Sequence, residues 1–242
     1  MTILLYTTDA YIQTFEATVT AHFEDEKMGH GVMLDRTAFY PGGGGQPCDY
    51  GTLAQDAATV AVTRVKKMGG QPVHFVNGAL PAVGSIVTGQ LDWERRYKLM
   101  RTHTAMHVLC GTVFRDYAAQ VTGGNMEPLS ARMDFEFETL KKEFVGEIEN
   151  AINAEVAAAR PVHVNILPRE EAFQIPDLIR TKINLLPEGI TEIRTIELEG
   201  LDLQADGGTH VNNTSEIGRI TLPKYKSKGK INKRIYVTLA DA

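Results

Sequence analysis

The chain has 242 residues, 43% of them hydrophobic and 23% charged, with a formal net charge of −5. That length suits one large domain or two modest ones, and the acidity excludes a general polyanion sponge. No run of about 18 apolar residues is available to span a membrane, and two distant cysteines, Cys48 and Cys110, make no disulfide framework, so a reducing cytoplasm is the expected setting.

From the start, MTILLYTTDAYIQTF has neither the basic flank nor the small-residue cleavage site of a secretory leader. The stretches FEATVTAHF, HGVMLD, AATVAVTRVKK, QPVHFVNG and GSIVTGQLDW then carry β-branched residues in rough alternation, bounded by Gly, Pro, Asp and Asn. Short strands at this spacing predict a small β-barrel over residues 1–92. Within it, LDRTAFYPGGGGQPCDYGTL cannot be all strand, because four glycines followed by Gln-Pro break one. Gly43, Gly44 and Gly45 in that loop would let a phosphate and sugar approach the backbone closely.

Past residue 92 the period changes. WERRYKLMRTHTAMHVLCGTVFRDY places Leu99, His103, Met106, Leu109, Cys110 and Val113 on one helical face, with Asp92 as N-cap. LSARMDFEF alternates as a strand, and ETLKKEFVGEIENAINAEVAAAR reads as an amphipathic helix stopping before Pro161. VHVNILP is a strand, REEAFQI a short helix, and EIRTIELEGLDLQ and IGRITLPKYKSKGKINKRIYVTL a β-rich tail. The expected fold is α+β: an N-terminal small β-barrel packed on an α+β domain with an antiparallel sheet, residues 93–242.

His103 and His107 stand at i and i+4, so on a helix both rings reach one point. Asp206 and His210 flank Gly-Gly-Thr, where the Gly207–Gly208 pair would let the chain bend and bring both side chains to one site. Three imidazoles and a carboxylate are chemically credible zinc ligands. Cys110 is expected in the core instead. Two basic runs, Arg95–Arg101 and Lys224–Arg234, would meet phosphates or simply form solvated faces. Arg101, Lys226 and Lys228 are the phosphate-contacting candidates.

Taken together, DRTAFYPGGGGQ (35–46), RTHTAMHVL (101–109) and DGGTHV (206–211) resemble the editing domain of alanyl-tRNA synthetase. In a chain of this length they are similar to the free-standing AlaX family, medium form. The resemblance implies a fold like the editing domains of threonyl- and alanyl-tRNA synthetases. It also implies a trans-acting deacylase hydrolysing Ser-tRNA(Ala), or Gly-tRNA(Ala), with tRNA as partner and no DNA or membrane.

The family's HxxxH and CxxxH metal ligands fall on His103, His107, Asp206 and His210, with Zn2+ as the metal. Asp206 stands where Cys is the commoner residue. It either binds the metal through oxygen or sits back and leaves three His ligands. Serine differs from alanine by one hydroxyl, and Thr37 and Gln46, the latter at the family's GGQ position, are the candidates to hydrogen-bond it. Thr209 would orient the metal loop or serve structure alone. Two rivals stay open: a zinc esterase acting on another mischarged tRNA, and a non-catalytic tRNA-binding module with a structural metal.

Overall fold

The computed structural model describes residues 1–138, 141–179 and 189–241, and the chain forms two compact units, Met1–Tyr97 and Lys98–Ala242. The first unit holds β1 (Ile3–Leu4), β2 (Thr14–Asp25), β3 (Gly29–Leu34), β4 (Arg36–Thr37), β5 (Gly51–Gln55), β6 (Ala58–Met68), β7 (Gln71–Asn77) and β8 (Ile86–Leu91). Six of these strands close into a barrel in the order β2-β3-β7-β6-β5-β8, and β1 pairs with β4 in parallel.

Alternation explains the barrel wall. In β2, Phe15, Ala17 and Val19 are buried between exposed or half-buried Glu16, Thr18 and Thr20, as a strand with one face on a core requires. Val32, Leu34, Leu53, Val62, Val65 and Val87 complete the interior with Phe39. Closure leaves these strands without a free edge.

Among the polar groups buried in this unit is an imidazole. His74 is fully buried, its Nδ1 3.2 Å from the Val32 carbonyl and its Nε2 2.8 Å from the Thr37 hydroxyl. Burial pushes the imidazole down to about 4, against a partial counter-pull from Val32. The unfolded chain would bind this proton at about 6.5. Stability from the neutral ring is therefore full above pH 6.5 and declines as pH falls to about 4. At about 1.4 kcal/mol per pH unit, the expected loss is about 3 kcal/mol. Denaturant titrations of wild type and His74→Gln across that window check this: the variant's pH dependence should be shallower, and parallel curves would contradict it.

The second unit continues helix α1 (Trp93–Tyr117), which begins in the first, and adds β9 (Val121–Glu127), β10 (Ser130–Glu136), α2 (Lys142–Ala157), β11 (Val162–Pro168), α3 (Arg169–Ala172), β12 (Glu192–Leu198), β13 (Asp202–Ala205), β14 (Ile220–Ser227) and β15 (Asn232–Leu239). An antiparallel sheet runs β14-β15-β10-β9 and a second one β11-β12-β13. Helix α2 buries Val145, Ile148, Ile152 and Val156, spaced three and four apart, and contacts β14. The fold is α+β, with the two compact units dividing inside α1.

Helix α1 starts as expected, with the Arg95 amide donating to the Asp92 carboxylate at 3.1 Å. It departs from an amphipathic helix further on, since every residue from Leu99 to Val113 is buried. Two of its hydroxyls are settled locally: the Thr102 hydroxyl donates to the Lys98 carbonyl and Thr104 to Met100.

Candidate metal centre and glycine loop

His103 and His107 come from consecutive turns of α1. Asp206 and His210 come from the loop that follows β13. That loop bends without left-handed backbone at Gly207 or Gly208. Instead the Asp206 carboxylate accepts the Gly208 amide at 2.7 Å, forming a side-chain-closed turn. Arg194 fixes the loop's base, donating to the Asp206 carbonyl at 3.0 Å and accepting its amide at 3.1 Å. The Val211 amide donates to the Thr104 hydroxyl at 3.2 Å, so the loop is tied directly to the helix.

One potential ligand atom from each of His103, His107, Asp206 and His210 lies within 4.8 Å of the others. Asp206 Oδ1 is 3.0 Å from His210 Nε2, and Oδ2 is 3.6 Å from His103 Nε2. The His103 and His210 rings stack, with centroids 4.3 Å apart. Zinc bonds of about 2.0–2.2 Å suit such a spacing after small side-chain movements.

The charge state of three of the four residues suits it too. Burial drives His103 down to about 4, with Asp206 pulling it back. Burial and then the His103 charge hold His210 well below the ordinary range. Burial works against the Asp206 charge, yet the histidines hold its carboxyl well below the usual value. Burial also disfavours the charge on His107, but Asp202 outweighs it and raises that pKa. Neutral imidazoles and an ionised carboxylate are the forms that ligate. The four residues fit a zinc ion.

Two neighbours had no signal in the sequence. Asp202, whose side chain is wholly buried, lies 3.0 Å through Oδ2 from His107 Nδ1. The Thr104 hydroxyl lies 3.2 Å from His210 Nδ1. Thr209 is buried in the loop between Asp206 and His210. Cys110 is buried as expected and stands outside the cluster.

In the first unit, the glycine loop closes as a two-residue hairpin. Gly43 and Gln46 exchange backbone hydrogen bonds at 3.0 and 2.9 Å, and Gly44 and Gly45 both have positive φ, 57° and 89°. Only glycine takes both positions readily. Gly43 and Gly44 are exposed, Gly45 is half-buried, and Gln46 is buried. The loop's base is fixed by a buried ion pair. Arg96 grips both Asp49 oxygens and donates to the Ala10 and Ala38 carbonyls, while Asp49 Oδ2 accepts the Tyr40 amide at 2.6 Å.

Two expected site residues need correction. Thr37 is fully buried, its hydroxyl engaged by His74 Nε2 and by the Phe39 amide at 3.1 Å. Its hydroxyl is engaged where the chain enters the glycine loop. Arg101 is 3% exposed and donates to the Ile217 and Ala240 carbonyls. It caps backbone groups and is not presented to phosphate. The basic tail divides similarly. Lys224, Lys226, Lys228 and Lys230 are exposed, whereas Lys233 Nζ closes the hairpin on the Gly229 and Lys230 carbonyls and Arg234 pairs with Asp134. No described helix is long and apolar enough to cross a membrane.

A relative from Saccharolobus solfataricus, "Alanyl-tRNA editing protein AlaX-M", is 41% identical over 99% of this chain and 99% of its own. The chain belongs to the AlaX-M family. A second AlaX-M protein, from Methanosarcina barkeri, is 38% identical over the full length of both chains. The "Alanine--tRNA ligase" of Pyrobaculum aerophilum is 38% identical over 91% of this chain, which occupies 25% of that protein. Two family profiles match as well: tRNA synthetases class II (A) over residues 4–95, and the threonyl and alanyl tRNA synthetase second additional domain over residues 193–236. The second of these spans the loop that carries Asp206 and His210 in this AlaX-M chain.

Proposed function

We propose that this chain is an aminoacyl-tRNA deacylase that hydrolyses the ester joining serine, or glycine, to tRNA(Ala), acting in the cytoplasm. The observation that carries this reading is the convergence of buried His103, His107 and His210 with half-buried Asp206 in a chain of the AlaX-M family. These four residues would hold Zn2+. Bound zinc would supply Lewis acidity to an ester.

The chain's own groups supply the rest. The neutral rings and the Asp206 carboxylate present a site that needs no proton loss from His103 or His210 at neutral pH. Gln46 is the residue assigned to the serine hydroxyl, having both a donor and an acceptor. Serine and alanine differ by that hydroxyl alone, so a hydrogen bond to it is what would favour serine. The glycine tip, with Gly43 and Gly44 exposed and Gly45 half-buried, accepts close approach of ribose and phosphate. Lys226 and Lys228 contribute register and affinity through phosphates, without reading identity.

The test follows release of serine, glycine and alanine from charged tRNA(Ala), with and without a chelator. Serine should be released and alanine spared. Chelation should stop the reaction while circular dichroism stays unchanged. Folded, zinc-loaded protein that releases nothing would overturn the proposal. Small seryl esters cleaved as fast as Ser-tRNA(Ala) would remove tRNA from it.

A further inference from the structure

Helix α1 presents three residues at a spacing of four along one line: His103, His107 and Gly111. The first two join the ligand cluster, while Gly111 faces the start of β13. A Cβ on Gly111 would lie 2.8 Å from Asp202 Cβ and 3.1 Å from both Leu201 Cγ and the Leu201 carbonyl oxygen. Part of that wall is backbone and cannot swing aside. The missing side chain is what lets Asp202 approach the helix.

At that distance Asp202 Oδ2 meets His107 Nδ1 at 3.0 Å and accepts from the Gln204 side-chain Nε2 at 2.6 Å. A carboxylate only accepts, so the proton of this contact belongs to Nδ1, and in the neutral ring Nε2 is the nitrogen left with its lone pair. Without such a partner a neutral imidazole exchanges between two tautomers, and one of them blocks the ligating nitrogen.

We propose that Asp202 is the positioning residue of this centre: it fixes His107 as the Nδ1–H tautomer with Nε2 open to a metal, and Gly111 provides the gap that lets it do so. The inference rests on the metal-centre reading above, and its test separates the two. Histidine ¹⁵N spectra of the metal-free protein read the tautomer directly. His107 should carry its proton on Nδ1 in wild type and in Asp202→Asn, which keeps an acceptor oxygen, and should lose that preference in Asp202→Ala and Gly111→Ala.

Competition for Zn2+ against a chromophoric chelator reads the consequence. Asp202→Ala and Gly111→Ala should bind about 10–100-fold more weakly, with Asp202→Asn nearer wild type. Should Asp202→Ala not fold, Gly111→Ala and Asp202→Asn carry the comparison. A His107 tautomer unchanged in Gly111→Ala, with unchanged zinc affinity, overturns the proposal. Wild-type protein that binds no Zn2+ defeats the metal reading instead, while the tautomer comparison still decides the role of Asp202.

Discussion

Replacing His103 with alanine is expected to abolish zinc retention and lower the deacylation of Ser-tRNA(Ala) by more than about a hundredfold, since even partners one layer out from a metal cost about 10–100-fold. His103 is 4% exposed, and its ring stacks on His210 while facing Asp206. Its loss would remove a candidate ligand and one wall of the cluster together. Asp206 keeps its hydrogen bonds from Gly208 and with His210, so the loop should hold its shape. Metal content after dialysis and the rate of serine release measure both effects. A variant that retains zinc and full activity would sink the assignment of this cluster as the reaction centre.

Alanine at Asp49 should be the most destabilising single change in the first unit, costing about 3–5 kcal/mol because it strands a buried guanidinium. Arg96 and Asp49 are 0% and 1% exposed, and Asp49 also holds the Tyr40 amide, so one substitution orphans two donors. The asymmetry matters here: a buried pair adds little net stability over apolar residues, but half of a pair is costly. Asp49→Asn should fall between wild type and alanine, keeping a hydrogen-bond acceptor without the charge. The chain's one tryptophan, Trp93, lies in this unit, so its fluorescence during urea unfolding reports the change there. A wild-type midpoint in Asp49→Ala would refute the argument.

Much of the fold is legible in residue patterning. The 3.6-residue period and the Asp92 cap define α1, and strict alternation defines β2 and β10. Strand β9 is not legible, because VTGGNME carries a glycine pair that reads as a turn, although it pairs along β10. Among the site residues, the HxxxH spacing and the Asp-Gly-Gly-Thr-His run identify the four that converge.

Charge misleads where burial decides. Arg101 reads as a surface cation, yet α1 is buried on all sides at that point and the guanidinium caps carbonyls. Arg96 carried a usable signal: it lies on the helical line of Met100, His103 and His107, a stripe that faces inward. Asp202 carried none, because its partner is 95 residues away in sequence and neither residue announces the other. Thr37 is ambiguous in the sequence because a β-branched polar residue suits a strand surface as well as an interior hydrogen bond to His74.

Arg96 also decides where this protein could be cut. All barrel strands are complete by Leu91, and the change of sequence pattern invites a stop codon at the next residue. A fragment ended there would encode every strand and omit the guanidinium on which Asp49, Ala38 and Ala10 converge. Any graft of the glycine loop into another protein must therefore carry the helix's first turn with it, through Tyr97, as part of the module.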